Sequence, residues 1–196
     1  GVSYHLDTTF SILARPTRYV KDGNEGAEPP YATEETAAPD IQTALDICAD
    51  GDEVVILPGT YEISEQIVID KELIVHGQTG KPEDVVIHQT AANRCLQING
   101  GKECIVHSLS VENGTQSATF DYGAGVYMAQ GTYPSPGSGY TPSAGSGILS
   151  NVIVRNCKLT TKWSVCAGVY AKGPDCLVIF RLGFSVFCYS KRNNYG

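Results

Sequence analysis

Few of the usual signs of a function are present. The 196 residues include one tryptophan and one methionine, and Lys and Arg (14) are outnumbered by Asp and Glu (21). The formal net charge of −7 sets the chain against the phosphates of nucleic acids and against anionic membrane surfaces, so neither is expected as a partner. The densest basic stretch, SKRNN at 190–194, is too short to reverse this. No apolar run reaches the ~20 residues of a membrane-spanning helix. The longest candidate, CLVIFRLGFSVFCYS at 176–190, holds 15 residues with Arg181 inside it, a costly group in hydrocarbon. Seven cysteines cannot all pair within one chain, and their spacing gives neither C-x-x-C nor a Cys/His metal pattern. Buried free thiols are expected, with disulfides left open if the protein is secreted. No metal site is expected. There is no P-loop, dinucleotide fingerprint or Ser-His-Asp order, so no cofactor is expected either.

What the chain has instead is turn and strand chemistry. Twenty-one glycines, ten prolines and eleven tyrosines mark a turn-rich β protein. Residues 1–39 read as an extension. In GVSYHLDTTFSIL, Val2, Tyr4, Leu6, Phe10 and Ile12 fall on one side of a strand, and 21–40 is a loop dense in Gly, Pro, Glu and Thr. A helix is predicted over 40–50, with Asp40 as N-cap, Ile41, Ala44, Leu45 and Cys48 at helical spacing, and Gly51 closing it. Short β runs follow, from EVVIL (53–57) to AGVYA (167–171), each ended by Gly, Asn, Asp or Pro. Such a train signals a sandwich, a barrel or a solenoid.

Self-similarity favours the solenoid. CIVHSLSV (104–111) aligns without a gap on VIVRNCKL (152–159), a step of 48; LIVHG (73–77) aligns on CIVHS, a step of 31; GAGVYM (123–128) matches CAGVYA (166–171) at 43. Preserved strands at unequal steps fit coils that carry loops of different length. In this alignment Val75, Val106, Leu109, Val152 and Val154 point inward, Asn156 makes a bend, and His76, His107 and Arg155 point out. About five coils are expected over 40–196, with the helix as cap, a loop inserted at 129–148 and a last coil at 176–196. In that last coil LVIFRLGF (177–184) aligns 25 residues after VIVRNCKL, which puts Leu177 and Ile179 inside and Val178 and Phe180 on the exterior.

The stretch RYVKDGNEG…ATEETAAPDIQTALDICADGDEVVILPGTYEI carries a family resemblance. It resembles the opening of a right-handed parallel β-helix of the pectate-lyase-like superfamily, whose capping helix reads I-Q-x-A-[LI] and whose first coil reads G-D-x-V-x-[LV]-x-P-G-T-Y. Here those pieces are Ile41 to Leu45 and Gly51 to Tyr61. The resemblance runs over roughly residues 18–173 and implies an all-β, right-handed parallel β-helix with an N-terminal capping helix. For function it is broad, since that superfamily hosts polysaccharide lyases, glycoside hydrolases, esterases, epimerases, adhesins and tail spikes.

Two catalytic sets are conceivable on such a fold. Lyases of the superfamily use an arginine or lysine base, because a proton beside a uronate carboxylate is acidic only when cations neutralise that group. His76, His107 and Arg155 offer a cationic row on successive coils, without the aspartate cluster that would imply calcium. A hydrolase needs two carboxyl groups flanking the scissile bond, and Glu112 and Asp121 are the nearest pair. In the uncharged loop 131–147, Tyr133 and Tyr140 are candidates to stack on sugar rings. Asn113, in NGT, is a glycosylation acceptor pattern.

None of these matches a catalytic motif, and five coils are few for an enzyme of this kind. The chain begins at Gly1 without methionine or a leader pattern, which reads as a processed chain or a piece of a longer one. The expected function is therefore a secreted or cell-surface module acting by self-assembly through its ends, by carbohydrate binding, or both, without catalysis. Val2, Tyr4, Leu6, Phe10, Ile12, Val178 and Phe180 would form the assembly surface. The alternatives are a polysaccharide lyase or glycoside hydrolase, and a domain of a larger adhesin or spike.

Overall fold

The computed structural model describes residues 15–99, 104–116, 122–128, 146–160, 167–171 and 175–179. Among these residues fourteen strands and one α-helix follow one another as β1 (Thr17–Val20), α1 (Ile41–Ile47), β2 (Glu53–Ile56), β3 (Gly59–Ile63), β4 (Ile67–Ile69), β5 (Ile74–Gly77), β6 (Val85–Gln89), β7 (Leu96–Ile98), β8 (Ile105–Glu112), β9 (Thr115–Gln116), β10 (Val126–Met128), β11 (Ser146–Arg155), β12 (Lys158–Leu159), β13 (Val169–Ala171) and β14 (Asp175–Ile179). Among the described residues all of the strand pairing is parallel. One ladder runs β1-β2-β5-β8-β11-β14, a second joins β3 to β6 and β6 to β8, and a third runs β4-β7-β10-β13. The chain thus passes from ladder to ladder and returns to the first in repeated circuits. The protein is all-β with parallel sheets, as its sequence predicts. Among the described residues no helix is long and apolar enough to cross a membrane.

Alternation along each strand and repetition between circuits make the core. Val54, Val75, Val106 and Leu149 share one row of the first ladder. Tyr61, Ile87, Val111 and Val154 share a row of the second, and Ile69, Ile98, Met128 and Ala171 a row of the third. All of these side chains are buried. Their branched and apolar character suits a pleated, close-packed interior and is the main source of stability. The described cysteines Cys48, Cys95, Cys104 and Cys157 are free thiols. Burial pushes the thiols of Cys48 and Cys104 up to about 11, so they serve as small apolar groups.

The corners between the first two ladders are tight. β8 and β11 cross from one ladder to the other within a single strand, turning at Ser108 (φ 57°) and Asn151 (φ 48°). Asn113 (φ 64°) and Asn156 (φ 56°) make the following corner. Asparagine tolerates this left-handed conformation better than most residues. Gly77 serves another need: a Cβ there would lie 2.2 Å from the Ser108 carbonyl oxygen of the next circuit.

These corners correct the predicted register. β8 pairs with β11 through Ile105–Ile148, Val106–Leu149 and Val111–Val154, a step of 43 and not 48. The same 43 separates β10 from β13. Each half-strand carries the same apolar alternation on either side of a bend, so alternation alone does not say which bends stack. The structure superposes Ser108 on Asn151 and Asn113 on Asn156. Likewise β14 sits 29 residues after its partner, with Leu177 beside Ile148 and Val178 beside Leu149. Val178 therefore packs against the core and is not part of an outer assembly surface. Val2, Tyr4, Leu6, Phe10, Ile12 and Phe180 lie outside the described residues, as does most of the loop 129–148, whose last residues, from Ser146, belong to β11. β1 was not foreseen from the sequence.

The helix is shorter than predicted and does more. It covers seven residues, with Asp40 accepting from the Thr43 backbone N–H at 2.8 Å, and Cys48 already extended. Lys71 Nζ donates to the Leu45 and Asp46 carbonyl oxygens at 2.8 and 3.0 Å, which satisfies its C-terminal end. Gln42 lies against β4, the edge of the third ladder. Its Oε1 accepts from Val68 N–H at 2.9 Å and its Nε2 donates to Val68 O at 3.3 Å, so one side-chain amide stands in for a missing strand. Replacing Gln42 by Leu orphans both backbone groups. We expect a loss of about 1–3 kcal/mol in unfolding free energy, measured by urea titration, with the loss largely retained in Gln42→Asn, whose amide is one methylene short.

Candidate functional site

Strand alternation that buries one side exposes the other, and the exposed positions also form columns. In β6, Val85 and Ile87 face in and His88 faces out; in β8, Val111 faces in and Glu112 out. Register then aligns Glu62, His88, Glu112 and Arg155 across β3, β6, β8 and β11. Glu112 is the centre of this column. Its Oε1 accepts from His88 Nδ1 at 2.7 Å, and its Oε2 accepts from Arg155 Nε. His88 Nε2 lies 3.3 Å from Asn113 Nδ2, so a neutral ring protonated on Nδ1 satisfies both neighbours. The Glu112 side chain is 15% exposed and Arg155 48%.

A second column lies on the first ladder. His76 and His107 are register partners, and their rings stack with centroids 4.7 Å apart and planes within 1°. His76 Nε2 is 3.1 Å from Glu53 Oε1, and its Nδ1 is 3.1 Å from the Gly77 carbonyl oxygen. The other Glu53 oxygen accepts from Thr17 Oγ1 at 3.1 Å. His107 Nδ1 is 2.9 Å from Ser108 Oγ.

The expected cationic row is thus divided. His76 and His107 do stack, but the residue above them is Ser150, while Arg155 stands over Glu112 in the neighbouring column. The reason is the step of 43 in place of 48. Asp121, Tyr133 and Tyr140 lie outside the described residues. Asn113 is a left-handed corner residue, partly buried, with its amide turned to His88. Sequence reading overlooked His88 and Glu53 as members of these columns. His88 was detectable, because it follows the alternation of VVIH, and Glu53 stands at the head of the run EVVIL with no repeat to mark it.

Arg94 was missed as well. This nearly buried arginine donates through Nε to Gly123 O at 2.8 Å, through Nη2 to Tyr122 O at 2.9 Å, and through Nη1 to Gln66 and Gln97. Its guanidinium carbon lies 4.7 Å from the centre of the Tyr127 ring, which stacks on Tyr170 of the next circuit at 5.6 Å. The two GVY repeats therefore place an aromatic column on the third ladder, braced by a cation.

The electrostatics limit the chemistry. Burial works to raise the Glu112 carboxyl, but the bonds from His88 and Arg155 outweigh it and hold the group below its ordinary range. A general acid for glycoside cleavage needs the opposite direction. As a base or nucleophile Glu112 is already occupied on both oxygens. His107 is held below its ordinary value by burial and by His76, against the opposing Glu53, and is a neutral imidazole at pH 7. Among the described residues no group of three or more His, Cys, Asp or Glu is placed to hold a metal ion. Comparison with protein-family models, with curated proteins and with solved structures finds no match to this chain.

A carboxyl depressed in the folded state stabilises that state above its unfolded value and loses this contribution as the pH falls through the folded value. For Glu112 the loss begins below about pH 4.5. Glu112→Gln should therefore cost about 1–2 kcal/mol at pH 7, with the deficit shrinking as urea titrations are taken to progressively lower pH.

Proposed function

We propose that this chain is a right-handed parallel β-helix of the pectate-lyase-like type, acting as an extracellular module through end-to-end assembly and carbohydrate binding and not through catalysis. The observation that carries this reading is the inequality of the two ends of the stack. At one end α1 covers the first circuit and Gln42 fills the edge of β4. At the other, β14 and β13 are the last strands of their ladders among the described residues, with backbone groups directed along the stack. Parallel strands offer a further strand the same register they already use. The right-handed sense follows the general rule for crossovers between parallel strands. The outward ionisable groups support a non-catalytic role, since Glu112, His88, Arg155, His76 and Glu53 bond to one another.

A single observation favours catalysis as the second reading: Arg155 is half exposed beside the most buried carboxylate of its column. Turnover of uronate-containing or neutral glycans, lost in Arg155→Ala, would establish it.

Sedimentation velocity across a hundredfold concentration range tests the assembly. We expect reversible association, weakened in Val178→Pro, which removes a backbone donor from β14 while circular dichroism reports whether the other strands persist. A monomer at every concentration in the unaltered chain rules the assembly reading out, and glycan-array binding then decides whether the carbohydrate part stands alone.

A further inference from the structure

We propose that His107, Ser108 and Asn151 form an acid-released latch that holds residues 78–84 across β8 and β11 at neutral pH and frees them in acid. In β8 and β11 the corner between the first two ladders is one left-handed residue, Ser108 or Asn151. Between β5 and β6 the same corner is drawn out into residues 78–84, which include a turn of 3-10 helix at Pro82–Asp84 and fold over the next two circuits. Gln78 Nε2 ties the start of this excursion to Glu34 Oε1 at 2.6 Å, and two side-chain bonds from β8 and β11 fasten the rest. Asn151 Nδ2 donates to Gly80 O at 2.9 Å, and Ser110 Oγ donates to Pro82 O at 2.7 Å.

The first bond is chained to histidine. The same Asn151 Nδ2 donates to Ser108 Oγ at 3.0 Å, which leaves the Ser108 hydroxyl proton for His107 Nδ1 at 2.9 Å. Every hydrogen in this chain has an acceptor only while His107 Nδ1 is one. Once protonated, Nδ1 is a donor. Ser108, 4% exposed, then accepts from two donors, and an open acceptor for its hydroxyl proton is Asn151 Oδ1, buried and without a partner; turning the amide to offer it gives up the bond to Gly80 O. The new imidazolium also lies 4.7 Å from the His76 ring. His76 faces acceptors on both nitrogens, Glu53 and the Gly77 carbonyl.

The surroundings do not compensate. From β5 His107 faces His76, and beyond it Glu53 of β2, whose carboxylate bonds to His76. From β11 it faces Ser150 and Asn151, both neutral. Of the ionisable residues in the excursion, Lys81 and Glu83 are exposed, Asp84 is partly buried, and none hydrogen-bonds to His107. Burial and His76 hold His107 below its ordinary value of about 6.5. The released state takes up the proton more readily than the latched one. The latch is therefore fully closed above the ordinary histidine range and loses stability as the pH falls below about 6.5.

Hydrogen exchange of the whole chain, corrected for intrinsic rates, tests this at pH 7.5 and 5. Exchange in 78–84 is expected to rise several-fold at the lower pH while β2 and β5 stay protected. His107→Gln, whose amide oxygen still accepts from Ser108, should abolish the acid response. Ser110→Ala removes a bond with no titratable partner and should loosen the excursion equally at both pH values. An equal acid response in His107→Gln, or none in the unaltered chain, overturns the proposal. Should the variant fail to fold, the NMR titration of His107 in the unaltered chain decides: amide shifts of 79–83 that follow the His107 midpoint support the latch, and shifts independent of it sink it.

Discussion

Parallel pairing in register places residues of successive circuits directly above one another at about 4.8 Å, so every strand position becomes a column through the molecule. Nearly all else follows from that spacing. An inward column accepts only side chains that pack on their own kind, as Val54, Val75, Val106 and Leu149 do. An outward column brings ionisable groups within contact distance whether or not their charges agree. Like charges there are costly and opposite charges modestly favourable, so composition along a column is constrained as strongly as hydrophobicity across the sheet. The column Glu62, His88, Glu112, Arg155 meets this by placing donors on both sides of Glu112. The His76–His107 pair meets it by leaving one ring neutral and giving the other a carboxylate.

The same geometry makes the ends of the stack a problem of their own. A strand inside a ladder has neighbours on both sides, and a terminal strand has backbone groups with no further strand to meet them. At the first circuit the solution is local and inexpensive in residues: a seven-residue helix, one glutamine amide and one lysine. A helix this short has little stability of its own, so its packing on β4 and β2 through Ile41, Ala44 and Leu45 holds it in place. Helix and first circuit support each other, and Arg18 with Asp52 adds an ion pair at the same end.

How much of this was legible in the sequence depends on which symmetry a residue obeys. Alternation and short repeats were enough for most of the strands, though not for β1 or β9, and for the inward identity of Val75, Val106, Leu109, Val152 and Val154 and the approximate helix. The step between circuits was not, because the apolar alternation repeats on either side of each corner and a slip of five residues still buries apolar side chains. That slip moved Arg155 into the wrong column, and a separate slip of four residues, 25 for 29, turned Val178 outward. A step of 43 was already visible in GAGVYM and CAGVYA, and applying it to β8 would have paired Glu112 with Arg155. Contacts between columns, such as Glu53 with His76 or Gln42 with Val68, obey no repeat at all. They depend on side-chain reach across the stack, which a linear pattern does not encode.

This distinction bears on how function is sought in such a chain. In a stacked fold the outward ionisable residues are brought together by register alone, so their proximity is weak evidence for catalysis. What separates a site from a ladder is an unbalanced group: a carboxyl raised out of its range, or a cation left free to meet a substrate. Glu112 is displaced in the direction of a settled ion pair, and His107 is held below its ordinary range by burial and by the second imidazole that lies against it. Both are the outcomes expected where neighbouring circuits accommodate one another. The imbalance in this molecule is found instead where the repeat is broken, at the corner lengthened into residues 78–84. There one histidine holds a segment that its counterparts in β8 and β11 replace by a single residue. A departure from the repeat costs the stack a regular corner, and here the longer corner is held by side chains and not by ladder pairing.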